Sequence, residues 1–291
     1  MEFKKYIRAS SLEEAWELNQ KKQNRIAGGL MWLRLGKGSI DTLIDLGDLG
    51  LGGIEETNGA FRIGAMTTLR ELELHEAFNA YCQGAARDAV RHIIGTQFRN
   101  MATVGGSIAG RFGFSDVLTL FLAMDTEVEL FIEKDVDEIV RMPLAEYAKN
   151  GSGRDIVTAL IVKKTPASYC YQSVRISESD FPVLAMAARR SADGKSWRFA
   201  CGARPKRAEA VTLPAGLAAG LSGIGDKAGE TGADKCGAET AAAITAAAEW
   251  LKDQFKTGSN MRGSAAYRTQ LVGVLSERAI RDLTGEEASA C

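Results

Sequence analysis

Histidine is scarce in this sequence, and its cysteines are never clustered. The 291 residues include two histidines, His75 and His92, and five cysteines that stand singly along the chain. Zinc and iron–sulfur sites require Cys or His ligands at short spacings, and Ser- or Cys-based triads require a histidine base. We therefore expect no metal in this chain, and both histidines in structural or surface roles. Unpaired cysteines are typical of a reducing compartment, which predicts a cytoplasmic protein.

An excess of positive charge and a long apolar run are also missing. Lys and Arg number 36 against 37 Asp and Glu, so the formal net charge is −1. Nucleic acids and anionic membranes select basic surfaces, so neither is expected as a partner. No stretch approaches the ~18 apolar residues that cross a bilayer, and the N-terminus lacks the apolar core of a signal peptide. A small neutral or anionic ligand fits this composition.

The sequence does show a change of pattern at Lys163-Lys164-Thr165-Pro166. Before it, strands rich in β-branched residues alternate with helical periodicities, as in α/β units. After it, three strands separated by polar turns predict an antiparallel sheet, followed by two helices. We predict domains at residues 1–164 and 165–291, with the first divided into subdomains of about 1–57 and 58–164.

Hydroxyl residues mark the predicted helix starts. Ser11 and Glu14 have the spacing of a capping box. Ser115 precedes an apolar run that predicts a helix from Val117 to Met124. The remaining helices are predicted over residues 12–19, 69–78, 82–94, 239–255 and 261–283.

A stretch rich in glycine and alanine, residues 214–238, predicts a loose connection. Gly223, Gly225 and Gly229 within it are similar to part of a dinucleotide fingerprint. The spacing differs from that fingerprint and no strand precedes it, so we assign no nucleotide site there.

Two glycine pairs carry the ligand hypothesis. Gly28-Gly29 follows a predicted strand end, and Gly105-Gly106 lies within the segment from Thr103 to Ser107. Without Cβ atoms, the backbone N–H groups of such loops can converge on an anion such as phosphate. Each pair also fits a plain tight turn, with Leu30-Met31-Trp32 in the core. Taken singly, neither pair decides between these alternatives, whereas together they could clasp two phosphates.

Several segments occur in the order seen in the FAD-binding subunits of molybdenum hydroxylases. They are Ile26-Ala27-Gly28-Gly29, Ile63-Gly64-Ala65-Met66-Thr67-Thr68, Arg99 to Ala109, and the C-terminal Met261-Arg262-Gly263-Ser264-Ala265-Ala266-Tyr267-Arg268. Over nearly its whole length the chain resembles the flavin subunits or domains of xanthine dehydrogenase, carbon monoxide dehydrogenase and related enzymes.

The resemblance implies an α+β fold, with a vanillyl-alcohol-oxidase type FAD domain of two α/β subdomains and a C-terminal domain of a three-stranded antiparallel sheet and helices. FAD would lie between the subdomains with its pyrophosphate held by both glycine pairs. It would be bound non-covalently, because neither histidine lies in a loop suited to flavin attachment. The residues implied at the cofactor are Arg25, Ile26, Ala27, Gly28, Gly29, Leu30, Met31, Trp32, Thr103, Val104, Gly105, Gly106, Ser107, Asp116, Val157 and Gln172.

The sequence departs from the family pattern in both glycine loops. The family's first loop usually continues Gly-Gly-Thr-Asp, whereas Leu30 and Met31 follow here, so a hydroxyl and a carboxylate are missing while the backbone donors remain. The second loop commonly runs through Ala-Ser-Pro, whereas Gly-Arg-Phe-Gly-Phe intervenes here. For Arg111 the alternatives are an anion contact or the surface. Phe112 and Phe114 either line the flavin edge or pack in the core.

The resemblance implies an oxidoreductase subunit in which FAD carries the chemistry and no catalytic residue is assigned. Electrons from a molybdenum-cofactor subunit would pass through an iron–sulfur subunit to this FAD, and then as a hydride to NAD. Two alternatives keep the fold. One is a structural subunit that has lost FAD because of Leu30 and Met31. The other is a free-standing flavin reductase, for which we find no catalytic acid in a matching motif.

Overall fold

The computed structural model describes residues 2–134, 136–222, 224 and 233–285. They belong to two compact units. The first unit comprises Met1–Phe78, Val90–Phe112 and Asp125–Lys164. The second unit comprises Asn79–Ala89, Gly113–Met124 and Thr165–Cys291. Each unit therefore combines segments that are distant in sequence.

The elements confirm a mixed α+β fold. The strands are β1 (Glu2–Arg8), β2 (Arg25–Ala27), β3 (Ser39–Asp45), β4 (Ile54–Glu56), β5 (Ala60–Gly64), β6 (Thr126–Lys134), β7 (Val136–Pro143), β8 (Ile156–Lys163), β9 (Ala167–Val174), β10 (Leu184–Ser191), β11 (Trp197–Gly202) and β12 (Glu209–Thr212). The helices are α1 (Leu12–Gln20), α2 (Leu69–Leu74), α3 (Glu76–Tyr81), α4 (Ala85–Val90), α5 (Thr96–Arg99), α6 (Val104–Ala109), α7 (Asp116–Ala123), α8 (Leu144–Asn150), α9 (Ala215–Leu221), α10 (Ala233–Gln254) and α11 (Ala265–Thr284). A short 3-10 turn covers Leu33–Leu35.

A parallel three-stranded sheet in the order β1-β3-β2 opens the first unit. Parallel strands need a crossover, and α1 supplies it between β1 and β2. Ser11 caps α1 as predicted, because its hydroxyl accepts a hydrogen bond from the Glu14 N–H at 3.2 Å. In a capping box the Glu14 carboxylate would accept from the N–H of the cap residue, Ser11. Here it accepts instead from the N–H of Ser10, at 2.7 Å. Ala15 on the helix and Ile44 on β3 are fully buried in the core between them.

A second sheet of the first unit has five strands in the order β4-β5-β8-β6-β7, with every neighbouring pair antiparallel. β8 lies at its centre, and all of its residues except Lys163 are buried. Glu129 on β6 is also buried, where a lone charge would be costly. Its carboxylate is paired with Arg62 at 2.9 Å and Arg141 at 3.0 Å.

The helices between residues 69 and 94 are shorter than predicted. His75 ends α2, and its Nδ1 accepts a hydrogen bond from the Phe78 N–H at 3.1 Å, which satisfies a free donor at the start of α3. The next predicted helix is cut back because Gln83 and Gly84 have φ values of 50° and 84°, which a helix cannot include. The first predicted helix is therefore divided at His75 into α2 and α3. The second begins only after Gly84, as α4.

A four-stranded antiparallel sheet in the order β12-β11-β10-β9 forms the second unit's framework. The prediction of three strands is wrong by one. β12 has only four residues, too few for alternation to be recognised, and pairing with β11 decides its conformation. Trp197 and Phe199 on β11 are fully buried in a core shared with α9, α10 and α11.

The starts of the last two helices are also corrected. α10 begins at Ala233 and α11 begins at Ala265, where the Ser264 hydroxyl caps the helix by accepting from the Tyr267 N–H at 3.1 Å. Part of the predicted loose connection is helical, since it includes α9. The rejected fingerprint glycines Gly223, Gly225 and Gly229 lie outside the described residues.

Within the described ranges no helix is long and apolar enough to cross a membrane. The same ranges contain no group of three His, Cys, Asp or Glu side chains placed to hold a metal ion. Cys82, Cys170 and Cys201 are buried thiols. Burial raises the pKa of Cys82 to about 11, so its reactive thiolate form is suppressed at neutral pH.

Candidate functional site

The two glycine pairs touch one another in the first unit. A Cβ on Gly28 would lie 2.7 Å from Thr103 Oγ1, and one on Gly106 would lie 3.1 Å from the Gly28 carbonyl oxygen. Gly29 is the tightest position, because its φ is 69° and a Cβ there would meet the Met101 carbonyl oxygen at 1.6 Å. These glycines are required by backbone-to-backbone contact between two segments that lie far apart in sequence.

The second glycine pair lies in a helix rather than in the predicted loop. Gly105 and Gly106 belong to α6, whose N-cap Thr103 accepts a hydrogen bond from the Gly106 N–H at 3.1 Å. The N–H groups of Val104 and Gly105 donate to Thr67 and Ala65 carbonyls at 2.9 and 2.8 Å. Each of these donors therefore already has an acceptor within the first unit.

The first glycine pair keeps its donors available. Among the described residues, none accepts a hydrogen bond from the backbone N–H groups of Gly28 to Met31. Gly29 and Leu30 have consecutive positive φ values of 69° and 66°. A turn with successive exposed N–H groups is an anion-binding arrangement. Of the two glycine segments, the first is thus the one that keeps backbone donors available.

A cavity of about 370 Å³ opens beside these segments, and all of its lining residues belong to the first unit. The predicted residues that line it are Arg25, Ile26, Gly28, Leu30, Trp32, Thr103, Gly105, Gly106 and Val157. Other predicted residues lie in the same segments without lining it, namely Ala27, Gly29, Met31, Val104 and Ser107. The structure therefore brings most of the predicted site together around one concave surface.

Trp32 forms an aromatic wall of this cavity. Its indole N–H donates to the Ser107 hydroxyl at 3.0 Å, and that hydroxyl donates to the Thr103 carbonyl at 2.9 Å. The ring packs edge-on against Phe98, with centroids 5.1 Å apart, and tilts against Phe112 at 6.0 Å. Ser107 does not line the cavity, but its hydrogen bond fixes the orientation of the Trp32 indole. Phe112 also lines the cavity.

Arg25 and Arg154 make one end of the cavity positive. The Arg154 guanidinium donates to the Lys21 and Asn24 carbonyls at 3.0 and 2.8 Å. Burial and the neighbouring Arg25 lower the pKa of Arg154 from its ordinary value. Asp155 also lines the cavity and accepts from the Trp16 indole N–H at 3.3 Å. The two arginines together with Asp155 therefore leave a net positive charge at the cavity.

Sequence reasoning missed several of the lining residues. They include Asn19, Met66, Tyr147, Gly153, Arg154 and Asp155. Two local signals were present, namely the Ile63 to Thr68 segment that contains Met66 and the turn-forming Gly153-Arg154-Asp155 ahead of β8. The proximity of this turn to residues 19–25 arises from long-range hydrogen bonds between Arg154 and that segment.

Asp116 and Gln172 belong to the second unit. Asp116 opens α7, and its carboxylate accepts a hydrogen bond from the Tyr171 hydroxyl and lies 2.8 Å from Arg175 Nη2. Burial raises the pKa of Asp116, and the Arg175 charge opposes that rise. Gln172 lies on β9, paired with Met186 of β10. Asp116 thus already has two partners within its own unit.

Arg111 does not line the cavity. Its φ is 44°, and its guanidinium lies against Gly151, where a Cβ would meet Cζ at 2.8 Å. Its Nη1 atom is buried and forms no hydrogen bond to the described residues. The arginine is therefore half-buried in the first unit. Phe114 belongs to the second unit, where its ring contacts Phe181.

Comparisons with known proteins bear on this site. Residues 1–164 match the family model described as the FAD binding domain in molybdopterin dehydrogenase. The chain is 27% identical to the uncharacterized protein YgfM of Escherichia coli strain K12, with 97% of this chain and 98% of that protein covered. That match covers the C-terminal region as well.

Solved structures share the fold. The chain matches Cu,Mo-CO dehydrogenase in its cyanide-inactivated form with a TM-score of 0.78, 23% identity and 99% of both chains covered. It matches CO dehydrogenase from Hydrogenophaga pseudoflava with a TM-score of 0.79, 22% identity and 98% of both chains covered. Quinoline 2-oxidoreductase from Pseudomonas putida 86 gives a TM-score of 0.76 at 19% identity, again with 98% of both chains covered.

Proposed function

Since this chain belongs to the family of FAD-binding domains of molybdopterin dehydrogenases, we propose that it is the FAD-carrying electron-transfer subunit of a multi-subunit molybdenum hydroxylase. Its partners would be a molybdenum-cofactor subunit and an iron–sulfur subunit. The similarity in fold to CO dehydrogenase and quinoline 2-oxidoreductase, at matching chain lengths, supports this role.

One observation carries the proposal, namely the cavity of the first unit and its available backbone donors. The N–H groups of Gly28 to Met31 can bind an anionic group, and the Arg25 and Arg154 charges favour it there. The backbone donors compensate for the Thr-Asp pair that Leu30 and Met31 replace. The residues present therefore fit the pyrophosphate of FAD.

The rest of the cavity would orient the cofactor. Trp32 and Phe112 provide flat apolar surfaces that exclude water, and Ser107 fixes the indole. Val157 on β8 offers a small apolar contact. Asp116 and Gln172 stay predicted cofactor residues of the second unit, where Tyr171 and Arg175 hold the Asp116 carboxylate in position. When bound, FAD supplies reversible hydride and electron chemistry.

NAD is the proposed electron acceptor, and the molybdenum subunit would carry the site for the oxidised substrate. Purification of the native complex tests the assembly, with molybdenum and iron expected in copurifying chains. Addition of NAD⁺ to the reduced complex should produce NADH. A monomer that turns over without partners would contradict the assembly, and reoxidation by other carriers alone would contradict NAD.

FAD binding is tested on the purified full-length chain. We expect the absorption bands of an oxidised flavin, and release of the flavin into the supernatant after acid precipitation, because no covalent link is proposed. Yellow colour retained in the pellet would contradict dissociable FAD.

The second candidate is a structural subunit without flavin. It is favoured by the replacement of polar side chains at Leu30 and Met31 and by the satisfied donors of α6. A colourless chain that still assembles with its partners, and does not take up added FAD, would establish this alternative.

A further inference from the structure

The second unit contains a cavity that the proposed FAD site does not use. Its volume is about 320 Å³, and four separate segments contribute to its lining. The residues that define its character are Phe114, Phe181, Pro182, Lys206, Asn260 and Arg262. None of its lining residues lines the cavity of the first unit. This volume lies within the range of small-molecule sites, which are mostly apolar with a few convergent polar groups.

One wall of this cavity is aromatic and stiff. The rings of Phe114 and Phe181 pack with centroids 4.4 Å apart at an interplanar angle of 55°. Pro182 follows directly and is buried. Aromatic and proline side chains lose little conformational freedom when a ligand binds, so a planar group can stack there at low entropic cost.

The polar side chains of the cavity are hydrogen-bond donors or cations. Arg262 lies over the Phe181 ring at 5.0 Å and pairs with Asp180 at 3.0 Å. Lys206 adds an exposed ammonium. The Asn260 side-chain oxygen accepts from Arg268 Nη2 at 2.6 Å, which leaves its amide N–H₂ as a donor. No carboxylate stands among the described residues that line the cavity. Arg262 is already paired with Asp180, so Lys206 and the Asn260 amide are the groups that favour an anion here.

The cavity is held in shape by a fully buried arginine. Arg268 on α11 donates to the Gly258 and Val183 carbonyls at 2.8 Å each, in addition to its bond to Asn260. These bonds tie the turn that carries Arg262 to the segment that carries Phe181. On the far side, the Ala203 N–H donates to the Gly113 carbonyl at 2.6 Å. The site is thus preformed.

From this combination we propose that the cavity binds a planar aromatic group bearing a carboxylate or phosphate. The ring would stack on the half-buried Phe114 and Phe181 side chains. The anionic substituent would pair with Lys206 and share the Arg262 guanidinium with Asp180. Ring stacking and charge must act together. A neutral ring or an anion without a ring should therefore bind more weakly than a ligand that has both.

Isothermal titration of the full-length, FAD-loaded chain tests this proposal with four probes. We expect AMP or benzoate to bind with one site per chain. Adenosine, which lacks the anion, and inorganic phosphate, which lacks the ring, should bind about tenfold more weakly or worse. Preference for AMP identifies a nucleotide site, and preference for benzoate an aromatic acid site. Failure of both to bind, or equal binding of adenosine and AMP, overturns the proposal.

Two variants locate the binding. Lys206→Gln should weaken binding of the anionic probe about three- to fivefold, which is the effect expected from the loss of one exposed charge. Its matched control is Lys195→Gln, an exposed lysine of the same unit outside the cavity, which should change nothing. Phe181→Leu keeps an apolar side chain and removes the stacking surface, so binding should fall about fivefold or more. Unchanged binding in both cavity variants overturns the assignment.

The outcome is independent of the proposed function. FAD content is measured separately by absorbance, so a colourless chain refutes the flavin role without touching this cavity. Should AMP bind only to the colourless chain and be displaced by FAD, it occupies the first unit, and the proposal for the second unit fails.

Discussion

The indole N–H of Trp32 and the hydroxyl of Ser107 form a buried hydrogen bond of 3.0 Å between the two glycine segments. The bond joins residues 75 positions apart, so it fixes the first segment to α6. Each partner is a wall or support of the cavity rather than a charged ligand of it. Retention of a cofactor should therefore depend on this neutral pair.

Ser107→Ala tests that dependence. The substitution removes the Ser107 hydroxyl that accepts from the Trp32 N–H, so the free energy of unfolding should fall by about 1–3 kcal/mol. FAD content should fall with it. Denaturant unfolding and flavin absorbance measure the two effects.

Ser276→Ala is the matched control for that change. The Ser276 hydroxyl is fully buried and forms no hydrogen bond to the described residues. Its removal should therefore be neutral or slightly stabilising. Equal losses for the two variants would show that the Trp32–Ser107 bond contributes nothing specific.

Gly29→Ala should be the most damaging glycine substitution at the site. The new Cβ would meet the Met101 carbonyl oxygen at 1.6 Å, so one glycine segment must move away from the other. Gly50→Ala provides the comparison, because Gly50 has a similar φ of 65° with nothing within 4 Å. That variant should lose only the ~1–2 kcal/mol of the left-handed conformation and keep its FAD. Full flavin content in Gly29→Ala would contradict the contact between the segments.

At position 30 the Gly variant should be more stable than the Ala variant, which is the reverse of the usual order. The φ of Leu30, 66°, is uncommon for a bulky side chain. At most positions Gly is less stable than Ala by about 0.5–1 kcal/mol. Here Leu30→Gly should unfold at higher denaturant concentration than Leu30→Ala, since both lose the side chain and only Ala keeps the strain. The ordinary order would show that residue 30 leaves the left-handed region.

The buried carboxylate of Glu129 should make stability depend on acid pH. Burial acts to raise its pKa, but hydrogen bonds and charges from Arg62 and Arg141 outweigh this and hold the pKa below its ordinary value. A depressed pKa contributes stability above the unfolded-state pKa, and this contribution is lost as the pH falls through the folded-state pKa. The stability gap between the native chain and Glu129→Gln should therefore be largest at neutral pH and shrink in acid.

Glu127→Gln, which removes a partly exposed ion pair with Lys163 on the same sheet, should change the unfolding free energy by about 0.5 kcal/mol or less. A gap for Glu129→Gln that stays constant from neutral to acid pH would contradict the role of the charge.

Local sequence was sufficient for features set by neighbouring residues. Ser11 and Ser115 cap helices as predicted, because a hydroxyl accepts an N–H three residues ahead whatever surrounds it. Most strands were recognisable because alternation and β-branched residues reflect burial of one or both faces, whereas the short strands β4 and β12 were not predicted. The same local order of motifs identified the family.

Long-range contacts decided the remainder. Gly105 and Gly106 have the composition of a loop, yet carbonyl acceptors on the Ala65 to Thr67 segment and the Thr103 cap make them helical. β12 exists because β11 offers an unpaired edge, and Arg154 reaches the cavity through hydrogen bonds to residues more than a hundred positions away. The sequence by itself thus determined the family and most of the segments that line the cavity of the first unit. Only the tertiary structure decided which backbone donors remain available. The acceptors that satisfy Val104 and Gly105 lie more than thirty residues away in the sequence, at Thr67 and Ala65.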